Sequence, residues 1–439
     1  MVPRSGPAVA LIAPLPLSGS WRTLRRHPCR YAAYAKNLTA ALHAVCEQVK
    51  PIVFANREGG PQSPARAQAT ETPAEAYRVV RCWQQGTVLY PLQILAAIWP
   101  HRGNIGIVHV QHEYSQFGGA LTALAFPVLL AMLRLLRVPL VVTLHGVVGT
   151  REVTASFCRQ HFLRRGRSWY RQGLRVVHRM IARLSDQLIV HHEQLRSVLI
   201  HDYGVRADRV AVVSHGIEER GNLPPRERAR ATLGINAPRV LLFLGYLARY
   251  KAPDVLLEAL QLLPEGQYAL VLAGGAPVRL RGDADYVRYT AGLRERARTI
   301  SGEILFPGFV PEEEMALYFA ASDLAVFPYY EMHASSGPLS LALSHRMPFL
   351  ASRAVAEFYG VPRELSFDCD GSSLARAIER FFSCDDRRAM AVDWTEAFVE
   401  SHLWRSAGQL TCAIYQKLLS QGGIENGISL HLPQWRRRR

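Results

Sequence analysis

Short apolar runs bounded by polar, Gly or Pro residues recur along this chain, and helix-spaced apolar positions fill the intervals between them. Val9–Ala13 has the make-up of a buried first strand, and Tyr31–Val45 repeats apolar residues at helical spacing. Strand-like runs follow at Val79, Ile105–Val110, Leu140–Leu144, Gln187–Val190 and Val210–Ser214. A second series starts at Val240–Leu244 and continues through Ala269–Ala273, Ile304–Phe306, Leu324–Phe327 and Phe349–Ala351. Near-continuous apolar strands alternating with helices predict mostly parallel sheets, buried on both faces. Two helices, Asp393–Ser401 and Leu403–Leu419, close the pattern.

The breaks divide the chain. A polar stretch from Glu218 to Arg230, with Pro224-Pro225, separates the two series. The expected units are a first α/β domain over 7–217, a linker over 218–236, and a second α/β domain over 237–400. A helix over 401–420 is expected to pack back on the first domain, and a basic tail over 421–439 to be flexible. A chain of 439 residues is long enough for two cores. Between the first strand and the first helix lies a long loop, Pro14–Arg30, placed where open α/β sheets bind ligands. Residues 56–77 are rich in Pro, Gly, Ala and Glu without periodicity and read as a mobile insertion. Ala120–Leu136 is apolar but carries Pro127 and Arg134, so it reads as a buried helix rather than a membrane span. The early apolar stretch Ala8–Leu17 is broken by Pro14 and Pro16 and reads as a strand rather than a signal peptide, which predicts a cytoplasmic location.

Composition narrows the function classes. Hydrophobic content of 49% with 20% charged residues describes a folded globular protein. Seven scattered cysteines (Cys29, Cys46, Cys82, Cys158, Cys369, Cys384, Cys412), with no Cys-x-x-Cys pair, suggest neither a disulfide framework nor a zinc site. The net charge of +16 favours anionic partners. Without aromatic-basic interleaving or a helix-turn-helix pattern, nucleic acid is not among them. Trp435 followed by Arg436–Arg439, with the basic surface, offers peripheral contact with an anionic membrane.

The stretch with most chemistry runs from Asp323 to Ser352: a strand, a loop ending Ser335-Ser336-Gly337, then Pro338-Leu339 and a helix-compatible segment. A helix start with small residues can cradle a phosphate through backbone N–H groups. The same residues could equally be an ordinary helix cap.

Several segments in order resemble the family-4 glycosyltransferases of the GT-B fold, in the branch with a Gln-His-Glu segment and a Ser-Gly donor loop. They are His109-Val110-Gln111-His112-Glu113 with Phe117-Gly118-Gly119, Thr143-Leu144-His145, Val213-Ser214-His215-Gly216-Ile217, and Gly245 through Lys251. Leu272-Ala273-Gly274-Gly275, Phe306 through Val310, and Ala321-Ser322-Asp323 with the Ser-Ser-Gly-Pro-Leu loop follow. The resemblance implies two Rossmann-like doubly wound domains facing across a cleft. It implies a retaining hexosyltransferase that moves a hexose from a nucleotide-diphosphate sugar to a hydroxyl of a glycan, lipid-linked or small-molecule acceptor. No metal or other cofactor is expected, and a role in cell-envelope polysaccharide synthesis is implied.

Residue by residue, the resemblance implies catalytic roles for His145, Lys251 and Arg249. Donor contacts fall to Gly245, Phe309, Val310, Glu331, His333, Ser335, Ser336, Gly337, Pro338 and Leu339, and acceptor-side positions to His112, Glu113, Gly118, Gly119 and His215. His145 is expected to face the cleft, while His191 and His192 read as exposed. The chain departs from the family in several places: His333 and Leu341 stand where a carboxylate pair is usual, with Glu331 two residues away as a substitute for the first. Tyr246 stands where a phosphate-binding Arg is common, and Ala252 and Arg346 where Gly is usual. Those missing carboxylates keep a second expectation open, a weakly active or inactive GT-B protein that binds a nucleotide sugar or a partner.

Overall fold

Apolar runs without alternation fold as two parallel sheets. The computed structural model describes residues 8–15, 30–46, 49–57, 68–70, 77–114, 116–163, 166–277 and 280–421. The first sheet holds β1 (Ala8–Ile12), β2 (Lys50–Asn56), β3 (Gln68–Thr70), β4 (Arg78–Trp83), β5 (Ile105–His112), β6 (Leu140–Leu144), β7 (Gln187–Val190) and β8 (Val210–Val212). Their spatial order is β3-β4-β2-β1-β5-β6-β7-β8. The second holds β9 (Arg239–Leu244), β10 (Tyr268–Ala273), β11 (Glu303–Leu305), β12 (Leu324–Phe327), β13 (Phe349–Ser352) and β14 (Ser366–Phe367), ordered β11-β10-β9-β12-β13-β14. Among these strands only the short edge strand β3 runs antiparallel to its neighbour.

Winding reverses between β1 and β5 and again between β9 and β12. Ligands bind outside the carboxyl ends of strands at such switch points. In the second domain that places the turn after β9 beside the loop after β12.

Both faces of the first sheet are covered, as a period of two requires. Ile107, Val141 and Ile189 pack with Tyr34, Leu38 and Leu42 of the helix Arg30–Val45. Val108, Val110, Leu140, Val142 and Leu144 point the other way into a second cluster. The helix Trp404–Gln421 completes the first cluster through Ala407, Cys412, Tyr415, Leu418 and Leu419, so the chain's last described helix packs on the first domain. Gly408 lets it approach Arg30–Val45 closely: a Cβ there would sit 3.0 Å from Ala41 backbone. The thiols of Cys46 and Cys412 lie 2.6 Å apart at this contact.

The two passages between domains run side by side. Ile217 pairs with Leu403, and its N–H donates to the His402 carbonyl at 2.8 Å. Gly216 lies directly under the Trp404 ring, where a Cβ would clash.

Several expectations are revised. The helix Arg226–Leu233 lies inside the stretch read as linker, yet it belongs to the second domain: Ala229 enters that core, and Arg226 and Arg230 both bond Asp323. Ala120–Leu136 is two helices, Ala120–Leu124 and Phe126–Leu133, followed by a 3₁₀ turn, because Pro127 brings no N–H to continue one helix. Strand β2 was not foreseen. Within 56–77 the described residues include β3, while 58–67 and 71–76 lie outside the described residues, as do 16–29 and the tail 422–439. Ala252 and Arg346, at positions where Gly was expected, keep left-handed backbone (φ +45° and +52°), conformations that favour Gly. Among the described residues no helix is long and apolar enough to cross a membrane.

Candidate active site

The turn after β9 and the loop after β12 meet through Gly245. Its backbone has φ +130°, and a Cβ there would lie 2.7 Å from the Lys251 amine and 3.0 Å from Pro338. Lys251 is 3% exposed; its amine donates to the Tyr329 hydroxyl at 3.1 Å and stands 4.6 Å over the Tyr329 ring. The Tyr329 hydroxyl lies 3.3 Å from that of Ser336, which accepts from the Leu339 N–H at 3.3 Å and caps the helix Gly337–Ser344. A buried cation is thereby wired to a helix N-terminus across the switch point.

The helix start is less open than a cradle of free amides. The Ser336 N–H donates to Tyr359 at 2.7 Å, the Leu339 N–H is taken by its own cap, and Pro338 has none. An anion would therefore meet the serine hydroxyls, the Gly337 amide and the positive end of the helix dipole. Arg249 points elsewhere: its guanidinium stacks 4.5 Å over Phe162 and 5.2 Å over Tyr289, and donates to the Arg159 carbonyl at 3.4 Å. It acts here as a contact between domains. Val310 is buried in the second core, whereas Phe309 is exposed beside Gly275, whose missing Cβ leaves 3.2 Å to the Phe309 side chain. Leu341 packs against the second core and can contact no ribose hydroxyl as an acid would.

His145 is not aimed into a cleft. Its Nε2 meets Gln111 at 2.9 Å and its Nδ1 meets His191 Nε2 at 3.1 Å, both inside the first domain. The backbone just after it makes the crossing: Gly146 pairs with Ala334, and the Val147 N–H donates to the His333 carbonyl at 2.9 Å. His191, read as exposed, is 3% exposed, and its Nδ1 faces the Val213 carbonyl at 2.9 Å. His192 is half buried and stacks on Phe358 at 4.1 Å.

This network has one consistent hydrogen assignment. Burial, with neighbouring histidines adding to it, lowers His109 and His191 to about 3 and His145 well below its ordinary value, so all three are neutral. Val213 can only accept, so His191 carries its proton on Nδ1 and accepts at Nε2 from His145 Nδ1–H. His145 Nε2 must then accept from the Gln111 amide nitrogen, which requires that amide turned from its placed orientation. The His109 Nε2–H is shared between the Thr143 hydroxyl at 2.7 Å and the turned Gln111 oxygen 3.2 Å away, and His109 Nδ1 accepts from the Tyr415 hydroxyl at 2.6 Å. The Val213 carbonyl, through His191, thus sets the tautomer of His145.

Neutral buried histidines also predict acid sensitivity. His112 is likewise lowered to about 3 and His178 to about 4, chiefly by burial. The unfolded chain binds these protons below pH 6.5 while the folded one does not. Stability is therefore full above that pH and falls as pH drops toward 4, by about 1.4 kcal/mol per unit for each histidine. We expect the melting temperature followed by circular dichroism to collapse between pH 6 and 4. A flat profile to pH 4.5 would refute the network.

On the acceptor side, His112 packs 4.2 Å from Phe126 as a core residue, and its Nδ1 is buried without a hydrogen bond. Glu113 is partly buried at the mouth of the loop after β5. Gly118 has φ +134° and sits against Gly86, and Gly119 starts the helix Ala120–Leu124. His215 is buried between Tyr34 and Trp404 at the hinge, with Nδ1 on the Gly216 carbonyl at 2.9 Å. A cavity of about 470 Å³ at the hinge, lined by residues 218–222 with Ala316 and His345, holds none of the motif residues.

Glu331 and His333 lie at the domain boundary. Glu331 is 2.6 Å from His161 Nε2, and His333 lies 3.2 Å from Glu152 and 3.4 Å from Glu331. Burial works to raise Glu331, but the two histidines beside it, His161 and His333, outweigh it and hold the carboxyl at about 2. Burial works to lower His333, but Glu152 and Glu331 hold it at about 9. Sequence reasoning had no signal for Glu152 and His161, which come from the other domain.

Two family models match, Glycosyltransferase Family 4 over residues 32–220 and Glycosyl transferases group 1 over residues 238–383. The chain belongs to the family-4 glycosyltransferases. This family member is 26% identical over 265 residues to a D-inositol 3-phosphate glycosyltransferase of Corynebacterium jeikeium, covering 57% of this chain and 62% of the relative. It is 29% identical over 168 residues to the one of Xylanimonas cellulosilytica, covering 36% of this chain and 38% of that one. The match thus spans less than two thirds of either relative. Solved structures share the GT-B fold: sucrose-phosphate synthase of Thermosynechococcus elongatus (TM-score 0.69, 19% identity) covers 94% of this chain and 100% of its own. Anabaena HepE in complex with UDP and glucose has a TM-score of 0.64 at 14% identity over the same shares.

Proposed function

We propose that the chain transfers a hexose from a nucleotide-diphosphate sugar to a hydroxyl acceptor, with retention of anomeric configuration and without a metal on the pyrophosphate. The observation that carries this reading is the link from Lys251 through Tyr329 to Ser336 at the β9/β12 switch point. A departing nucleoside diphosphate gathers negative charge, and fixed cations and dipoles stabilise it without reorganising. Lys251 supplies the charge, Gly245 the close backbone approach, and the Gly337–Ser344 helix start the dipole. The backbone of Phe309 and Val310 would hold the base. Glu331, two residues before the position of the missing acid, is the substitute carboxylate, and His145 serves as a positioning residue for the Gly146–Val147 crossing. Glycan or lipid-linked acceptors suit the basic surface, and the same charge fits work at the inner face of an anionic membrane.

The known complexes of HepE with UDP and of Arabidopsis starch synthase IV with ADP make nucleoside diphosphates the class to test first. Without added metal, one of UDP, GDP or ADP or its hexose conjugate should raise the melting temperature. At 100 times its dissociation constant the stabilisation is about 2.7 kcal/mol. A panel in which none shifts the melt and none is hydrolysed or transferred would remove this reading.

A further inference from the structure

Two residues from each domain meet beside the crossing at Gly146: Glu152 and His161 from the first, Glu331 and His333 from the second. One ligand atom from each of His161, Glu331 and His333 lies within 4.8 Å of the others. His161 Nε2 is 2.6 Å from one Glu331 oxygen, and His333 Nε2 is 3.4 Å from the other. A zinc ion bonded at about 2.0–2.1 Å sets tetrahedral neighbours about 3.4 Å apart, so small side-chain shifts would close this set on an ion.

Three further features favour an ion over an accidental cluster. Both histidines present the same nitrogen, Nε2, to the shared carboxylate. Glu152 stands 3.2 Å from His333 on the opposite nitrogen, Nδ1, the placing by which an outer carboxylate fixes a ligand histidine's tautomer. Both His333 nitrogens are shut from solvent, yet neither makes a hydrogen bond of good geometry. Imidazole donors select zinc-type ions; magnesium and calcium prefer all-oxygen sites.

We infer that His161, Glu331 and His333 bind one zinc-type divalent ion, with Glu152 holding His333 and a fourth position open. Because the ligands come from both domains, the ion fastens the domains in the apposition where Val147 bonds the His333 carbonyl. The site shares Glu331 with the transfer reading but not Lys251 or the phosphate turn, and zinc binding is read directly by titration, so the two readings can fail separately.

The test is calorimetric titration of chelator-stripped full-length protein with zinc sulfate, and with magnesium chloride as a counter-probe. One equivalent of zinc should bind and raise the melting temperature, with no response to magnesium. H161Q and H333Q should each abolish binding, and E152Q should weaken it about 10–100-fold. H201Q, at an exposed histidine outside the cluster, should bind as wild type. Metal-free melts check that each variant folds, and E331Q replaces either histidine variant that does not. Absence of stoichiometric binding, wild-type binding by H161Q and H333Q, or equal loss in H201Q would overturn the site.

Discussion

Replacing Lys251 with Met should lower transfer about 10²–10³-fold, the usual loss when one fixed donor to a developing anion is removed. The same change should leave the melting temperature unchanged or raised. The ammonium is 3% exposed, and the folded chain bears the cost of stripping its water, offset in part by the Tyr329 hydroxyl and ring. Methionine has a similar length and no charge, and swapping a buried charge for a packed apolar chain is often neutral or stabilising. A lysine kept only for packing gives the opposite outcome, lost stability with transfer intact. Steady-state kcat/KM with the active nucleotide sugar, set beside calorimetric melting, separates the two. A lower melting temperature with unchanged kcat/KM would sink the proposed role.

Gly274→Ala should cost about 3 kcal/mol and abolish nucleotide-induced stabilisation, the upper range for forcing a methyl into a packed site. Its Cβ would fall on the Gly245 carbonyl oxygen, which is backbone and cannot rotate away. Gly245 is tied to β10 by its N–H on the Ala273 carbonyl at 3.0 Å, and Leu247 by its N–H on Gly275 at 3.3 Å. Pushing this turn outward displaces Gly245 from between Lys251 and Pro338. Urea denaturation with and without nucleotide reads both effects. Gly103, where a Cβ meets nothing within 4 Å, is the control, and G103A should stay within about 0.5 kcal/mol of wild type. Wild-type stability in G274A would show that the turn yields.

What could be read in advance followed local rules. Leu324–Phe327 stands out because a parallel strand covered on both faces has no polar position to dilute it, and the strand begins and ends where the pattern says. Strand β2 was hidden by Lys50-Pro51 at its start; Pro51 pairs only at the strand's edge with β1, and the ladder to β4 begins at Ile52. The helix Arg226–Leu233 shows too little apolar face to stand out, with Ala229 its buried residue and its anchor Asp323 supplied 93 positions after Arg230. His191 looked exposed beside His192, but Val213, His145, Tyr34 and His215, brought in by other elements, close over it. Arg249 read as a phosphate fork because its place in the motif cannot show that Phe162 and Tyr289 claim its guanidinium.

By itself the amino-acid sequence determined the two α/β series, the family and the turn that carries Lys251, because strand runs and motif spacings are local properties of the chain. The tertiary structure alone decided which side chains meet. His161 reaches Glu331 across 170 residues, and Tyr415 reaches His109 across 306. Such contacts depend on how one domain closes on the other and where the last helix returns, and no local periodicity encodes either.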